Sequence, residues 1–169
     1  PPQSLLDLIP IDGGLSKTYR ESIKRLPEPS GAIVFYGALR RADLPVDCPG
    51  HIQVFDENFG SLFISISMEN DQRAPLGMAT LIASVFVDID QWSHLNTQAY
   101  ARKKNVVTKQ IRAILDQKFD LLETSWDHQE LSTPRSFERW TGRPGGIVGG
   151  LGQHPDRFGP FGLSSRTPL

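Results

Sequence analysis

A glycine-rich run near the C-terminal end of the chain is the first candidate for binding chemistry. Residues 143–152 read Arg-Pro-Gly-Gly-Ile-Val-Gly-Gly-Leu-Gly, and glycines let backbone amides approach an anionic or flat ligand closely. The spacing matches neither GxGxxG nor GxxxxGK[ST], and no amphipathic helix follows it. The run therefore predicts close backbone packing against another domain or a flat ligand, and does not predict a phosphate loop.

Two pairs of polar residues carry weaker signals. Asp88 and Asp90 follow a predicted strand as possible paired carboxylates, and His128 and Glu130 have the HxE spacing of zinc deaminases. A metal site needs three or four converging ligands, and the chain has one cysteine and four scattered histidines. No serine or cysteine lies in a segment that indicates activation by a histidine. We predict no metal site and no catalytic side chain.

Large aromatic side chains flank the glycine-rich run: Phe137, Trp140, Phe158 and Phe161. An elongated apolar ligand could lie between these rings and the bare glycine backbone. Packing within a core or between domains is the stronger explanation of the same aromatics. From the residues alone, both interpretations stay open.

Composition limits the class of protein. The 169 residues carry 18 Lys plus Arg against 19 Asp plus Glu, for a formal net charge of -1. One soluble domain is therefore expected, and a nucleic-acid partner is not.

The single Cys48 cannot form an internal disulfide, which favours a reducing compartment. The longest apolar runs are too short to cross a bilayer, which takes about 20 residues. The start Pro1-Pro2 has neither Met nor a signal-peptide pattern, so we expect an excised piece.

The periodicity of apolar residues predicts the elements that must position these residues. It indicates helices over 16–26 and 96–118, a short helix that begins at Thr133-Pro134 and continues through Trp140, and strands over 32–39, 51–55, 61–68, 79–87 and 121–126. The strand over 32–39 is apolar on both faces, and those over 61–68 and 79–87 alternate and should pair antiparallel. We predict an α+β fold with a mixed, mainly antiparallel sheet covered by one long helix and shorter helices.

Two side-chain patterns make this prediction specific. Leu62, Ile64, Ile66 and Met68 should share one face of their strand, and Ile82 and Phe86 enrich the second face of the next. The apolar stripe of the long helix should consist of Ala99, Val106, Val107, Ile111, Ile114, Leu115 and Phe119. Its basic residues are expected on the solvated side: Arg102, Lys103, Lys104, Lys109 and Arg112.

A stretch of motif residues resembles one enzyme family. Residues 132–150, STPRSFERWTGRPGGIVGG, resemble a segment near the C-terminal end of carotenoid desaturases and isomerases, flavoproteins of the phytoene-desaturase type in the amine oxidase superfamily. The resemblance continues through FGPFG at 158–162 to RTPL at 166–169. Upstream it includes 31–44, 61–67, 73–75, and Tyr100 with Lys103 or Lys104. It is closest to the cyanobacterial branch that desaturates carotenoid end regions at the 3',4' bond.

The resemblance implies a function for a longer protein. In this family the FAD-binding domain is discontinuous and the substrate domain is inserted between its segments, so residues 1–169 are expected to be a single substrate-binding domain whose flanking FAD-binding segments are absent. FAD would not be expected on this fragment alone. The family oxidises a long polyene by hydride transfer to flavin, and the domain would aim the substrate and exclude water.

The matched motif also implies site residues and partners. Trp140, Arg143, Phe158 and Phe161 would contact the carotenoid substrate, and Gly149 and Gly150 the flavin. The domain would pair with its own FAD-binding domain, and the complete enzyme would dock peripherally on the cytoplasmic side of a membrane, where an apolar polyene resides. The alternatives are a carotenoid cis-trans isomerase, an amine-oxidase-like flavoenzyme domain, or a non-enzymatic module that binds an apolar ligand.

Overall fold

The computed structural model describes residues 4–26, 30–69 and 71–149. Its order is α1 (Ser4–Leu8), α2 (Lys17–Lys24), β1 (Gly31–Arg40), β2 (His51–Asp56), β3 (Gly60–Ile66), β4 (Met78–Val87), α3 (Asp90–Ser93), α4 (Thr97–Phe119), β5 (Trp126–Ser132) and α5 (Pro134–Thr141). Single 3-10 turns occupy Arg41–Asp43, Glu123–Ser125 and Pro144–Gly146. This composition confirms the predicted α+β class.

The five strands form one sheet in the order β2-β3-β4-β1-β5. Every pairing among the described strands is antiparallel, so the expected mixture with parallel strands is not found there. The predicted β3–β4 pair is confirmed, with Ile64 opposite Ala83. β1 lies inside the sheet between β4 and β5, as its apolar sequence on both faces predicted.

The long helix α4 packs on one face of this sheet and completes the core. The apolar side of α4 joins the inward residues of β1, β3 and β4 in one buried cluster: Val107, Ile111, Leu115, Phe119, Ile33, Phe35, Leu39, Leu62, Ile64, Ile66, Leu81, Ala83 and Val85. We call this side of the sheet the covered face. Burying the larger of these side chains is worth about 1.5–3 kcal/mol each, so the core depends on the match between α4 and the covered face.

Local capping explains where the helices begin. The Oγ of Ser16 accepts a hydrogen bond from the Tyr19 N–H at 3.2 Å, and the Oδ1 of Asn96 accepts one from the Ala99 N–H at 2.9 Å. α5 begins at Pro134, a residue type suited to the first helical position, as predicted. Among the described helices, none is both long and apolar enough to cross a membrane.

Three details of the predicted pattern are wrong. The last strand is Trp126–Ser132, and the segment predicted as a strand before it holds a 3-10 turn. Met68 is half exposed and lies beyond the end of β3. Val106 is also half exposed, because the buried stripe of α4 passes through Val107 instead.

Arg112 is a fourth residue for which the prediction is wrong. It is only 8% exposed, although the sequence predicts it on the solvated side of α4. Its guanidinium pairs with Asp116 at 3.0 Å and with Glu123 at 3.0 Å, and donates to Gln129 Oε1 at 3.2 Å. The guanidinium carbon lies 4.9 Å from the ring centroid of Trp126. Arg112 therefore fastens the C-terminal half of α4 to β5 and to the turn before it.

Replacing Arg112 by alanine is expected to lower the free energy of unfolding by about 2 to 3 kcal/mol, because it leaves Asp116 without its cation and removes the hydrogen bond that Arg112 Nε shares between both Asp116 oxygens. The matched control is Arg102→Ala on the exposed side of the same helix, with an expected change within about 0.5 kcal/mol. Chemical denaturation followed by circular dichroism measures both. Equal losses in the two variants would contradict the anchoring role.

Candidate functional site

The face of the sheet opposite α4 carries an apolar surface that the core does not use. Because side chains alternate along a strand, Tyr36, Ile82, Phe63 and Phe86 all point away from the covered face. Each is exposed by more than a third, and Phe86 reaches 74%. We call this surface, made of Tyr36, Phe55, Phe63, Ile82 and Phe86, the open face.

The register brings these side chains together across neighbouring strands. Tyr36 lies opposite Ile82, and Phe63 opposite Ser84. The ring of Phe63 also stacks on His51 of β2, with centroids 5.7 Å apart and an interplanar angle of 17°. Paired aromatic and branched side chains at such positions stabilise a sheet, but their exposed flanks also offer a flat apolar wall.

Small hydroxyl side chains separate the aromatic ones on the open face. Ser61, Ser65 and Ser84 lie at the intervening positions of β3 and β4, and Ser61 Oγ accepts a hydrogen bond from the Gln53 amide. A serine projects less than a leucine or phenylalanine, so an extended ligand can approach the strands between the rings. A cavity of about 200 Å³ lies here, lined in part by Phe63, Phe86 and Ala32. The open face thus offers a flat, mostly apolar surface, whose cavity is smaller than a typical ligand pocket.

Tyr36 is the titratable group at the centre of this face. Burial raises the pKa of the Tyr36 phenol, and the nearby Glu130 carboxylate raises it further. Glu130 is the cross-strand neighbour of Tyr36 on β5. The phenol is therefore protonated and neutral at pH 7, which suits an apolar surface. At pH 7 Tyr36 cannot act as a phenolate base.

The sequence-predicted substrate contacts are only partly described by the structure. Trp140 lies on α5 with 81% of its surface exposed, and the guanidinium carbon of Arg139 sits 5.5 Å from its ring centroid. Arg143 Nη1 instead donates to the carbonyl oxygens of Ile147 and Val148, at 3.4 and 3.3 Å. Phe158 and Phe161 lie outside the described residues.

The glycines predicted to contact flavin differ in what surrounds them. A Cβ built on Gly149 would meet no atom of residues 4–26, 30–69 or 71–149 within 4 Å. Gly150 lies outside the described residues. Gly146 has no such room: its Cβ would fall 1.8 Å from the Pro134 carbonyl oxygen, so this part of the run packs within the domain. The Gly145 N–H donates to Glu138 at 3.0 Å.

The glycine-rich run fits contact with a flat cofactor, but it does not form a complete cofactor-binding site. The Gly145 N–H already donates to Glu138, and the Gly146 N–H donates to the Arg143 carbonyl oxygen. Within the described ranges, the run supplies no cradle for a diphosphate. FAD would have to be held mainly by other parts of a protein.

Other positions of the family-like motif have structural roles in this chain. The Tyr100 hydroxyl is 2.8 Å from Thr133 Oγ1, and the Arg135 guanidinium carbon lies 4.8 Å from the Tyr100 ring centroid. Arg135 also donates to the carbonyl oxygens of Ser93, at 3.0 Å, and Leu95. This cluster joins the start of α4 to α5, so part of the family-like pattern is explained by packing.

Sequence reasoning missed the open face as a site, although its signal was present. The alternation in the sequence places the apolar Ile82 and Phe86 on the second face of β4. Which side α4 would cover cannot be read from alternation alone. Only the register shows that Tyr36, Phe63 and Phe86 belong to one surface.

Comparison with known proteins supports the family resemblance at a coarse level. No family model matches the chain. The chain is similar to a protein of Daucus carota named prolycopene isomerase, chloroplastic, with 29% identity over 119 residues. The match covers 65% of this chain and 19% of that protein. It supports a distant relationship to an enzyme of the carotenoid isomerase and desaturase group.

The ionisation of Tyr36 gives a direct test of the open face. We expect Tyr36 to ionise above its ordinary value of 10.0, while Glu130→Gln lowers its pKa only in part, since burial is the larger cause. A raised folded-state pKa contributes stability that is complete below pH 10 and is lost as pH rises through the folded value. Ultraviolet titration at the tyrosinate band measures it, with Tyr36→Phe as the identifying variant.

If the Tyr36→Phe difference spectrum showed ionisation at or below the ordinary tyrosine range, the phenol would be freely solvated. The description of Tyr36 as part of an apolar, partly desolvated surface would then be incorrect.

Proposed function

We propose that this chain is the substrate-binding part of an FAD-dependent enzyme that acts on carotenoids, and that the open face is one wall of its substrate site. The observation that carries the proposal is the row of exposed apolar side chains on one side of an otherwise well-packed sheet. Contiguous exposed apolar patches of this kind mark ligand-binding or interaction sites. A carotenoid is a long, nearly flat hydrocarbon, so its shape suits such a wall.

The similarity to prolycopene isomerase and the motif resemblance favour different reactions. The relative's name supports cis-trans isomerisation, in which the polyene keeps its mass and one double bond changes geometry. The likeness to the branch that desaturates carotenoid end regions at the 3',4' bond favours desaturation, in which two hydrogens leave and a new conjugated double bond forms. FAD, when bound, would accept the hydride that leaves in a desaturation, whereas an isomerisation involves no net redox change.

In this proposal the chain's own residues bind and orient. Phe63 and Phe86 would contact the hydrocarbon, and the neutral Tyr36 phenol would border it without introducing a charge. Excluding water from the apolar wall prevents side reactions at the part of the polyene that reacts. Trp140 and the glycines at 149 and 150 would face the FAD-binding segments, and docking on the cytoplasmic surface of a membrane would give access to the apolar substrate.

The first experiment examines the complete protein that contains this chain. The purified protein is expected to show a flavin absorption spectrum and to convert an added polyene precursor. Product mass and chromatographic retention then separate the reactions: a loss of two hydrogens with longer-wavelength absorption supports desaturation, and an unchanged mass with altered geometry supports isomerisation. A protein without flavin that binds the polyene unchanged would contradict the enzymatic proposal and support a carrier of apolar ligands.

Variants of the open face test the location of the substrate site. Phe63→Ser and Phe86→Ser are each expected to lower kcat/KM by at least about tenfold, because each removes an apolar contact worth roughly 1.5–3 kcal/mol. Val106→Ser is the matched control, since Val106 is half exposed on α4 and belongs to the opposite side of the sheet. Turnover of the polyene is measured together with flavin content.

The open-face variants should retain their flavin spectrum while losing turnover. Equal effects of Val106→Ser and Phe86→Ser would show that general destabilisation is responsible. Unchanged turnover in both phenylalanine variants would remove the open face from the substrate site.

A further inference from the structure

The outer edge of the sheet at β2 presents backbone groups that no described strand pairs with. β2 pairs with β3 on one side, and the sheet order places no strand of the described residues on its other side. The Ile66 N–H donates to the Gly50 carbonyl oxygen at 2.8 Å, so Gly50 and every second residue after it direct their backbone groups toward β3. The residues between them, His51, Gln53 and Phe55, direct theirs to the free edge.

Apolar side chains flank this edge on both faces of the sheet. Phe55 is largely exposed on the open face, and Ile52 and Val54 are only half-buried on the covered face. The carboxylate of Asp56, at the end of the strand, is already engaged, because its Oδ1 accepts two backbone N–H groups of the following turn at 2.8 and 3.1 Å. An extended apolar edge of this kind can pair with a further strand.

A second copy of β2, running antiparallel, fits this edge best in one register. When Gln53 lies opposite Gln53 of the second copy, His51 of each copy lies opposite Phe55 of the other, and the pair forms about six backbone hydrogen bonds. A shift of two residues places Phe55 opposite Pro49, which has no N–H, or His51 opposite Glu57 in the turn after the strand. The register centred on Gln53 therefore makes the fullest use of the strand.

The same register joins the open faces of the two copies. Opposed residues of an antiparallel pair point to the same face of a sheet. Phe55 of the second copy would thus lie beside His51, whose ring stacks on Phe63 with centroids 5.7 Å apart. Gln53 lines the cavity of about 200 Å³ on the open face and would lie at the symmetry axis. The second copy thereby extends a cavity that is small for a ligand pocket in one chain.

We propose that two copies of this chain associate by antiparallel pairing of β2 with β2, centred on Gln53, and so form one continuous sheet with a shared open face. The formal net charge of -1 leaves little repulsion between copies, and Asp56 lies opposite Gly50, away from the other carboxylate. A contact through one strand is small, so the association is weak and depends on concentration. The pairing does not depend on the identity of the substrate.

A cysteine at the symmetry axis tests the register directly. In the proposed pair the two Cα atoms of residue 53 lie about 5.5 Å apart, within the range that a disulfide spans. Gln53→Cys is therefore expected to give a disulfide-linked dimer under mild oxidation, as measured by non-reducing gel electrophoresis. The wild-type chain, whose one cysteine is the buried Cys48, shows the background.

His51→Cys is the matched control on the same strand. Its two copies would lie about 14 Å apart along the strands, too far for a disulfide, so this variant alone should not link. A mixture of His51→Cys and Phe55→Cys chains should link, because these positions lie opposite each other in the proposed register.

A charge at the axis tests the association without a cross-link. Gln53→Glu places two carboxylates opposite each other and is expected to weaken dimerisation at least about tenfold. Gln110→Glu, at an exposed position of α4, makes the same change in charge and should dimerise as the wild type does. Sedimentation velocity of the 169-residue chain, from about 10 µM to about 1 mM, measures the association, and circular dichroism checks the fold of each variant.

Three results would overturn the proposal. The wild-type chain could sediment as a monomer throughout this range, as expected if the edge is occupied by another strand. Gln53→Cys could link no more than His51→Cys does, or Gln53→Glu and Gln110→Glu could dimerise equally. Either of the last two results would place any self-association on a different surface.

Discussion

The contact between α4 and one face of the five-stranded sheet is the interaction on which the rest of the structure depends. Ile111 and Leu115 are fully buried against the sheet, and the two-residue period of the strands then fixes which side chains meet the helix. A shift of one residue in any strand would exchange its buried and exposed sets. The same constraint that builds the core therefore also determines which aromatic side chains are left on the other side.

This arrangement explains why the sheet carries two different chemistries. On the covered face, branched and aromatic side chains interlock with α4. On the open face, rings such as Phe63 and Phe86 stand between serines, as a surface rather than a core. A cavity beside the end of β4 adds a third environment, where apolar side chains meet both the Lys103 ammonium and the Asp88 carboxylate.

Local sequence patterns predict most of the helices and strands correctly. They fail where the position of a residue depends on contacts with residues far away in the sequence. Alternation predicted β3 and β4, and Thr133 followed by Pro134 predicted the start of α5. Arg112 was predicted wrongly because its partners Glu123 and Gln129 lie on later segments, which helical periodicity cannot reveal. β5 was displaced for a related reason: as an edge strand with mostly exposed side chains, it has almost no apolar alternation to recognise.

The candidate site was predictable only in part. The family-like motif directed attention to Trp140 and Arg143, of which the first is exposed and the second braces its own loop. The open face instead depends on strand register, which is a long-range property. Apolar residues on the second face of β4 indicated such a surface, but their neighbours Tyr36 and Phe63 come from strands far away in sequence.

The two outer strands also differ in how they would meet another polypeptide. β5 displays Asp127, His128 and Glu130 along its exposed length, and charged side chains on a free edge discourage pairing with a further strand. β2, the opposite edge, carries Phe55 with 83% of its surface exposed and no comparable row of charges. Among the described strands, β2 is therefore the edge with fewer charges to oppose pairing with a further strand, and a lysine added there would oppose it.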